Sequence, residues 1–358
     1  MGLENLLDNG TQGLDESFIF HKPKIQVIGC GGAGSNSANR LAEMGVKDAE
    51  VMAINTDKVH LDRINIEKKF LLGGGLTRGF GTGGNPEVAE SAAQKQEKEL
   101  KFLVGGADLT FITVGLGGGT GTGLAPCIAR LARESGSIVV ALATTPFKVE
   151  KGRQRVAMAG MEKLRRATDS LIVLDNNRLI DIVPELPVEQ AFAVMDTLIS
   201  EVIRNVTEMI NVPGMINLDF ADLRAVFQGG GMATVLYGEN SIHDADKVVA
   251  DALKNPLLDV DCSTAKGALI NVTSGSKIRL GTVYEVVDGL TRELPEDAMV
   301  KFGVRFDPDC EGTIKVMCVM TGIQVPAVLS MSDDPIKVKG APLLGAPSSS
   351  GASALLRK

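Results

Sequence analysis

The chain has 358 residues, 44% of them hydrophobic and 23% charged, so it is long enough for two folded domains, and wholesale disorder is excluded. Asp and Glu number 44 against 37 Lys and Arg, and the formal net charge of −7 argues against nucleic acid or an anionic membrane as a partner. The 41 glycines, with no Trp and two Tyr, favour binding sites built from backbone groups.

The five cysteines and three histidines show no pattern of a metal site or a catalytic triad. The cysteine count is odd, no C-x-x-C pair occurs, and no H-E-x-x-H is present. The N-terminal sequence lacks the basic and apolar regions of a secretion signal, and no apolar run approaches the ~18 residues that a membrane span needs. We therefore predict a cytoplasmic protein with reduced thiols, no metal-ligating side chains and no direct membrane insertion.

Short apolar strands alternate with helical segments through the first half of the chain. In chain order these are the strand KIQVIG, a glycine loop and a helix, the strand EVMAINTD, a glycine-rich stretch at 73–85, a polar helix near 86–103, the strand DLTFITVG, a second glycine loop, the helix LAPCIARLARESG, and the strands SIVVALATT and DSLIVLDNN. This alternation predicts a parallel, Rossmann-like sheet with helices on both faces. Ligands of such sheets bind at the carboxyl ends of the strands, where both glycine loops lie.

The second glycine loop places five glycines in seven residues between a strand and a helix. Its bare backbone amides and the partial positive charge of the helix N-terminus suit a di- or triphosphate, and two threonines can add hydroxyl donors. A tight turn is the alternative, but a turn rarely needs five glycines. The candidate phosphate-binding residues are Gly117, Gly118, Gly119, Thr120, Gly121, Thr122 and Gly123.

The first glycine loop, residues 29–34, matches the dinucleotide-binding pattern G-x-G-x-x-G, and Asp57 lies where a dehydrogenase needs a ribose-binding acid. A dinucleotide-dependent oxidoreductase is therefore one alternative function. Because a dinucleotide enzyme uses one such loop, two glycine loops on neighbouring strands favour a single mononucleotide held from several sides. The P-loop pattern G-x-x-x-x-G-K-[ST] does not occur in the sequence.

The second half of the chain begins with one long helical pattern, residues 188–211, which stops at Val212-Pro213-Gly214. After about residue 222 the sequence changes to short β-rich segments with one helical segment, which indicates a smaller α+β domain. From Ile323 the composition turns to Pro, Ser, Gly and Ala without apolar periodicity, as in a flexible tail. The predicted divisions are an N-terminal extension at 1–22, a nucleotide-binding domain at 23–187, a central helix at 188–211, a loop at 212–222, a C-terminal domain at 223–322 and a tail at 323–358.

Three motifs together resemble those of FtsZ, the tubulin-like GTPase family of prokaryotic cell division: GCGGAGSN at 29–36, GGGTGTG at 117–123 and NLDFAD at 217–222. The similarity covers about residues 24–322, and the N-terminal extension is similar to that of archaeal members. It implies a tubulin/FtsZ-like α/β fold with a GTPase domain, a central helix and a smaller α+β C-terminal domain. It also implies GTP or GDP as the ligand, and general phosphoryl-transfer chemistry adds an expected Mg²⁺.

A guanine site is predicted on the central helix, where Phe192 and Asp196 are four residues apart and share a face. The Asp196 carboxylate accepts from the N1–H and N2–H₂ groups of guanine, whereas adenine offers it an acceptor. Phe192 either stacks on the base or packs in the core, and Asn176 can donate to O6. Together with the family motifs, the further candidate nucleotide-binding residues are Gly31, Gly32, Ala33, Gly34, Asn36, Asn55, Glu150, Arg153, Asn176, Phe192 and Asp196.

The sequence departs from the family pattern at three places. Asp175 stands where the family usually has Pro, and Asn177 where it usually has Asp. The spacing of the following arginines in the family pattern leaves open whether Arg153 or Arg155 approaches the phosphates, although counting back from Asp169 favours Arg153. The usual short motif at the end of the tail is not recognisable, so a link to membrane-anchor or division proteins through the tail is kept only as a hypothesis.

No candidate base for hydrolysis lies among the glycine loops, and the family resemblance points to Asn217, Asp219 and Asp222 as the catalytic residues. Asp219 and Asp222 are three residues apart at a predicted helix start, so both carboxylates can face one water or a cation. N-capping is the alternative, and it fits Asp219 better than Asp222. The long helix, roughly 33 Å over about 22 residues, separates these acids from their own nucleotide. The family resemblance implies that they complete the pocket of the next subunit instead.

The sequence thus predicts a GTP-binding and GTP-hydrolysing cytoskeletal protein that polymerises head-to-tail into filaments. Its predicted role is the division ring at midcell, in the cytoplasm. Two alternatives stay open: a nucleotide-dependent structural filament with a role other than division, and the dinucleotide-dependent oxidoreductase.

Overall fold

The computed structural model describes residues 22–212, 214–254 and 261–324. The predicted N-terminal extension up to residue 21 and the tail from residue 325 lie outside the described residues. The strands of the first half are β1 (Ile25–Cys30), β2 (Ala49–Asn55), β3 (Lys68–Leu71), β4 (Leu109–Gly115), β5 (Ile138–Thr145) and β6 (Ser170–Asp175). The helices of the first half are α1 (Gly31–Glu43), α2 (Lys58–Arg63), α3 (Gly74–Thr77), α4 (Pro86–Lys95), α5 (Glu97–Val104), α6 (Thr120–Glu134), α7 (Lys151–Ala167) and α8 (Asn177–Ile182).

The second half begins with the long helix α9 (Val188–Asn211), which occupies the residues of the predicted helical pattern. The shorter elements that follow are α10 (Phe220–Gln228), β7 (Met232–Ser241), α11 (Ala245–Leu253), β8 (Gly267–Ser274), α12 (Leu280–Thr291), β9 (Met299–Phe306) and β10 (Thr313–Ile323). The second half therefore has the mixed α+β character that its sequence indicates.

The polar helix predicted near 86–103 is in fact two helices, α4 and α5, which meet at Gln96. The Gln96 backbone leaves the helical region, with φ −110° and ψ 25°, and its side-chain Oε1 accepts a hydrogen bond from Gly73 N at 2.6 Å. This contact with a distant glycine segment has no local sequence signal, so the prediction of one continuous helix is wrong.

The described strands all belong to one ten-stranded sheet, in the order β3-β2-β1-β4-β5-β6-β7-β10-β8-β9. The strands from β3 to β6 are parallel, as predicted. β7 joins them through a short parallel pairing of Leu171 with Met232 and of Ile172 with Ala233, and β10 is antiparallel to both β7 and β8. The C-terminal strands therefore extend the first sheet, a connection that the β-rich texture alone does not predict.

Helix α9 packs across the junction between the two halves of the sheet. Its buried residues, such as Val202 and Val206, belong to one cluster with Phe111 of β4 and Met317 of β10. A second cluster on the opposite face packs α4, α5 and α6 against the parallel strands. Helices thus cover both faces of the parallel part, as predicted. Within the described ranges, no helix combines the length and apolar character needed to cross a membrane.

Candidate nucleotide-binding site and acidic loop

The two predicted glycine loops meet at the carboxyl edge of the sheet, because β1 and β4 are parallel neighbours. The helices that follow them begin so close together that a Cβ on Gly31 would lie 2.6 Å from Gly121 N. Gly31 also has a φ of +72°, which disfavours any residue with a side chain. A Cβ on Gly34 would lie 2.0 Å from Thr113 O, so α1 packs directly on β4. The two loops therefore form one continuous surface.

Both helix N-termini present backbone N–H groups at this edge. Among the described residues, no side chain caps α1 or α6 from its N-cap position, and neither helix has an acidic residue in its first turn. The uncapped N–H groups and the two helix dipoles concentrate partial positive charge, which suits the oxygens of a di- or triphosphate. Ala33 and Asn36 are exposed on the first turns of α1, and Gly32 is half-buried.

Close backbone contacts fix most of the second loop, and Gly118 is the exception. A Cβ on Gly119 would lie 2.0 Å from Thr82 Oγ1, and a Cβ on Gly117 would lie 2.8 Å from Arg153 O. A Cβ on Gly118 would meet no atom of the described chain within 4 Å. Gly118 therefore borders open space in which a ligand can lie, whereas its neighbours are required for packing.

The two threonines of the second loop have different environments. Thr122 is buried, and its Oγ1 accepts a hydrogen bond from Gly117 N at 3.0 Å, which closes the loop on itself. Thr120 is half-buried in the first turn of α6, where its hydroxyl lies 2.6 Å from Thr56 Oγ1. Because Thr122 braces the loop from within, Thr120 is the better candidate for a hydroxyl that faces a ligand.

Phe192 and Asp196 share one face of α9, beside α1. Phe192 is 40% exposed and meets Phe147 edge to face, with ring centroids 5.7 Å apart, so the alternative that this ring packs in the core is wrong. Asp196 is half-buried and accepts a hydrogen bond from Ser37 Oγ at 2.5 Å. Burial raises the pKa of Asp196 to about 6, although Ser37 and Arg40 both favour the ionised form. Further N–H donors, such as those on the edge of guanine, would stabilise this carboxylate.

Asn176 follows β6 and carries an unpaired side-chain oxygen. Its Oδ1 is buried, and within the described part of the chain it has no hydrogen-bond partner. Buried polar atoms are normally paired, so this oxygen is an exception at the carboxyl edge of the sheet.

The two departures from the family pattern beside Asn176 are coupled in the structure. Asn177 donates from both its N and its Nδ2 to Asp175 Oδ1, at 2.9 and 2.6 Å. Thr145 Oγ1 donates to the same oxygen at 3.0 Å, and Lys148 N donates to Asn177 Oδ1 at 2.8 Å. Asp175 and Asn177 therefore link the end of β6 to the loop after β5, next to Phe147.

Glu150 and Arg153 lie at the start of α7, against the second glycine loop. Their side chains form an ion pair of 2.6 Å, and the backbone of Arg153 is the group that approaches Gly117. Arg155 is two residues further along the helix, so its side chain projects from a different face. The geometry therefore favours Arg153 over Arg155 as the arginine beside the loop.

The turn after β2 uses its polar side chains internally. Asn55 is buried, and its Oδ1 accepts a hydrogen bond from Thr56 N at 2.9 Å. Asp57 caps α2 by accepting from His60 N at 3.0 Å, so the acid that a dehydrogenase would use for ribose has a structural role. His60 Nε2 lies 3.0 Å from Oδ1 of Asn36, which connects this turn to the first glycine loop.

The segment 214–222, which follows α9 and includes the start of α10, is called the acidic loop. It carries Asn217, Asp219 and Asp222. Asn217 is exposed, and its Oδ1 accepts a hydrogen bond from Gly214 N at 2.6 Å. Asp222 N donates to Asp219 Oδ1 at 2.7 Å, and Asp219 N donates to Asp222 Oδ2 at 3.3 Å. Asp219 is thus the N-cap of α10, and Asp222 completes a capping box from the third helical position.

Lys301 of β9 is the partner of Asp222, with 2.7 Å between Nζ and Oδ1. This hydrogen bond is the main cause that lowers the pKa of Asp222, so the carboxylate stays ionised at neutral pH. Asp219 is exposed, and its Oδ2 has no hydrogen-bond partner among the residues that the structure describes. One oxygen of the acid pair is therefore available for a water.

Three of these contacts were missed by sequence reasoning, namely those of Ser37, Thr56 and Lys301. Ser37 lies four residues after Ala33 and therefore on the same face of α1, a signal that helical spacing does contain. Thr56 lies near the end of the predicted strand EVMAINTD, where no pattern marks its hydroxyl. Lys301 pairs with a residue from a distant part of the chain, and no local pattern marks it.

Two adjoining helix N-termini at a parallel-sheet edge, with a carboxyl and an aromatic ring beside them, define an α/β protein that binds a nucleotide. Residues 24–184 match the Tubulin/FtsZ family, GTPase domain, and residues 231–324 match the FtsZ family, C-terminal domain. Cell division protein FtsZ 2 of Methanocaldococcus jannaschii is 45% identical over 323 residues, which are 89% of this chain and 85% of the relative. The protein of the same name from Halobacterium salinarum is 46% identical over 314 residues, covering 87% and 80%.

Solved structures have the same fold. An empty FtsZ dimer from M. jannaschii has a TM-score of 0.80 at 38% identity, over 96% of this chain and 100% of that chain. A GTPγS-bound protofilament of CetZ2 from Haloferax volcanii has a TM-score of 0.74 at 21% identity, over 84% and 93%, and shows the fold alone. The chain therefore belongs to the tubulin/FtsZ family of filament-forming GTPases, which confirms the predicted fold class, the GTPase activity and GTP or GDP as the ligand.

Proposed function

We propose that this chain polymerises head-to-tail and that the acidic loop of one subunit completes the GTPase site of the next. The observation that carries the proposal is the separation of the two parts of the site. The glycine loops, Phe192 and Asp196 lie near one end of α9, and Asp219 and Asp222 follow its other end. The helix has 24 residues and is about 36 Å long. The FtsZ dimer of M. jannaschii, at 38% identity, supports a contact between two copies of the chain.

In this proposal the phosphates of GTP rest on backbone N–H groups of both glycine loops, and Arg153 flanks them. The phosphates themselves would hold a Mg²⁺, which would supply charge neutralisation during phosphoryl transfer. In the described ranges, no three His, Cys, Asp or Glu side chains are grouped so as to hold a metal ion.

Guanine lies between Phe192 and Asp196 in the same proposal. Asp196 accepts from N1–H and N2–H₂, Asn176 donates to O6, and the exposed face of Phe192 stacks on the ring. Adenine presents an acceptor at N1 and no O6, so it leaves the half-buried Asp196 without a donor from the base. Bidentate base contacts of this type discriminate by about 1–3 kcal/mol.

The acid pair acts on the attacking water of the adjoining subunit. Asp219 presents a free oxygen and Asp222 an ionised carboxylate, so both can accept hydrogen bonds from one water and orient it toward the γ-phosphate. Asn217 stands on the same loop, where its Oδ1 braces the turn at Gly214. Because head-to-tail contacts of this type do not close, assembly and hydrolysis occur together in a filament.

The cellular role in this proposal is a division ring at midcell, in the cytoplasm. Its basis is that the relatives are named cell division proteins. Membrane-anchor or division proteins are the proposed partners of the tail. Depletion in the source organism tests the role: blocked septation supports it, whereas normal division with an altered cell shape points to a filament of another kind.

The shared site is tested by Asp222→Ala together with dilution of the wild type. Asp222→Ala should bind GTP with wild-type affinity but hydrolyse it about 10²–10⁴-fold more slowly, the usual range for a positioned acid–base group. Wild-type turnover per subunit should fall steeply once dilution dissolves the filaments. Turnover that stays constant down to dilutions at which only monomers sediment would show a site complete within one chain.

A mixing experiment sharpens this test. Gly118 borders open space, so the valine side chain of Gly118→Val should fill the ligand volume and prevent nucleotide binding without disturbing the fold. The acid pair of this variant, Asp219 and Asp222, should stay intact. Neither variant alone should turn over GTP. Mixed with Asp222→Ala, the Gly118→Val subunit presents its acids to the GTP of its neighbour, so activity should return in proportion to the contacts that the two variants form.

A further inference from the structure

The acidic loop is held on the C-terminal part of the sheet by backbone as well as by charge. Met215 N donates to Val304 O at 2.8 Å, and Val304 N donates to Ile216 O at 3.0 Å. The same strand, β9, carries Lys301, whose Nζ lies 2.7 Å from Asp222 Oδ1. The loop and the strand that carries Lys301 are therefore joined by backbone hydrogen bonds as well as by this ion pair.

Lys301 also changes the charge that this face presents. Asp219 and Asp222 alone carry two negative charges, and both raise the pKa of Lys301, which therefore stays protonated. With Lys301 the three side chains carry a net charge of −1. A face with two uncompensated carboxylates would repel a nucleoside triphosphate, and like charges brought together at an interface oppose association.

We propose that Lys301 is a positioning residue for GTP hydrolysis: its ammonium fixes Asp222 in the orientation that serves the adjoining subunit and offsets part of the charge of the acid pair toward the triphosphate. This inference rests on the proposed function of Asp222. Asp222 Oδ2 already accepts from Asp219 N, so Lys301 holds the other oxygen, and the carboxylate is fixed from two sides.

The test compares Lys301→Met with a matched control, Lys315→Met. Lys315 of β10 pairs with Glu239 of β7 at 3.5 Å, and β8 separates β10 from the strand that carries Lys301. Lys315→Met therefore removes the same charge from the same half of the chain. Lys301→Met should lower kcat for GTP about tenfold in fully assembled filaments, with KM and the Kd for GTP unchanged. Lys301→Arg should restore at least half of the lost kcat, because a guanidinium also pairs with a carboxylate.

Assembly gives an independent readout. Lys301→Met should raise the protein concentration needed for filaments at low ionic strength, and added salt should narrow the difference from wild type because it screens the repulsion. Lys315→Met should match wild type in both assays. Lys301→Gln, which keeps a polar side chain, should behave as Lys301→Met does, and thermal unfolding checks that all variants fold.

Two results would separate the failure of this inference from that of the proposed function. If Asp222→Ala is inactive but Lys301→Met and Lys315→Met have the same kcat and assembly threshold within twofold, the role of Lys301 is refuted while the shared site stands. If Asp222→Ala turns over GTP as wild type does, the proposed function itself is refuted, and the inference with it.

Discussion

The glycine-loop edge, which is the carboxyl edge of the sheet where the two glycine loops meet, and the acidic loop are built from different chemical groups. At the glycine-loop edge the groups aimed at the ligand are backbone N–H donors, and positions such as Gly31 and Gly34 lack room for a single added carbon. On the acidic loop the groups proposed to act on the ligand are side chains, and the backbone there only forms the N-terminus of a helix. Substitutions that change charge should have little effect on a binding surface built from backbone groups, whereas added side-chain volume should disrupt it. A surface built from carboxylates should be sensitive to changes of charge and should tolerate added side-chain volume.

The largest effect is expected at Gly118, where an added Cβ would have no atom of the described chain within 4 Å. Gly118→Val should abolish GTP binding in a titration while the thermal unfolding temperature stays near that of wild type, because only the ligand volume is filled. Gly281→Val is the matched control, since Gly281 on α12 is equally open, and it should bind GTP normally. Near-normal affinity in Gly118→Val would mean that the loop is merely a turn.

Gly121→Val should behave differently from Gly118→Val, although both residues belong to the same loop. A Cβ on Gly121 would lie 2.9 Å from both Cys30 O and Val114 Cγ2. This substitution should therefore lower the unfolding temperature as well as GTP affinity. Equal stability of the two variants would contradict the packing described here.

At Asp196, beside the glycine loops, side-chain charge should decide which base binds. Its folded pKa is raised to about 6, so the neutral carboxyl stabilises the unliganded chain at low pH, and this contribution is lost as pH rises through about 6. Guanine needs the ionised form. GTP affinity should therefore rise with pH up to about 6 and then level off.

Asp196→Asn supplies the control for this pH dependence. The amide does not titrate, so the ratio of wild-type to variant affinity should rise with pH and isolate Asp196 from the titration of the nucleotide phosphates. At neutral pH the variant should lose about 1–3 kcal/mol of GTP binding and much of its preference over ATP. Unchanged selectivity between GTP and ATP would remove Asp196 from the site.

Phe192→Ala should have a smaller effect at the same edge. Base stacking on an aromatic ring contributes about 1–3 kcal/mol, and the lower value is expected for a ring that also rests on Phe147. GTP and ATP should weaken together, because every base has a stacking face, whereas Asp196→Asn should weaken GTP more. Phe192→Tyr, which keeps the ring, should retain affinity in the same titration.

Much of the glycine-loop edge could be predicted from the sequence because its signals are local. A strand, a glycine run and a helix start follow one another within about twenty residues, and parallel strand order brings two such units together. The shared face of Phe192 and Asp196 follows from helical spacing in the same way. Which of Thr120 and Thr122 faces outward could not be predicted, since that depends on the closure of the loop through Gly117.

The acidic loop could be predicted only in part. Its helix start and the spacing of Asp219 and Asp222 are local, and the resemblance supplied their role. The ion pair with Lys301 joins two segments that come together only through the order of strands in the second half. The continuation of the sheet from β6 to β7 likewise depends on two residue pairs that no pattern marks.

The smallest predicted effect separates the capping role of Asp219 from its proposed chemical role. Asp219→Ala removes the acceptor for Asp222 N, and loss of an N-cap costs about 1 kcal/mol, which should lower the unfolding temperature by roughly 2–4 °C. Asp219→Asn keeps an oxygen acceptor at the cap and should unfold near the wild-type temperature. GTP affinity should be unchanged in both, since the nucleotide of the same subunit lies at the other end of α9.

Turnover then distinguishes the two roles, because Asn cannot reproduce the second, free oxygen of the carboxylate. If Asp219 serves the water of the adjoining subunit, Asp219→Asn should hydrolyse GTP nearly as slowly as Asp219→Ala despite its intact cap, measured as phosphate release per assembled subunit. If the residue only starts α10, turnover should follow stability, and Asp219→Asn should match wild type. The second outcome would leave Asp222 as the sole carboxylate of the shared site and would make its fixation by Lys301 the more important contact.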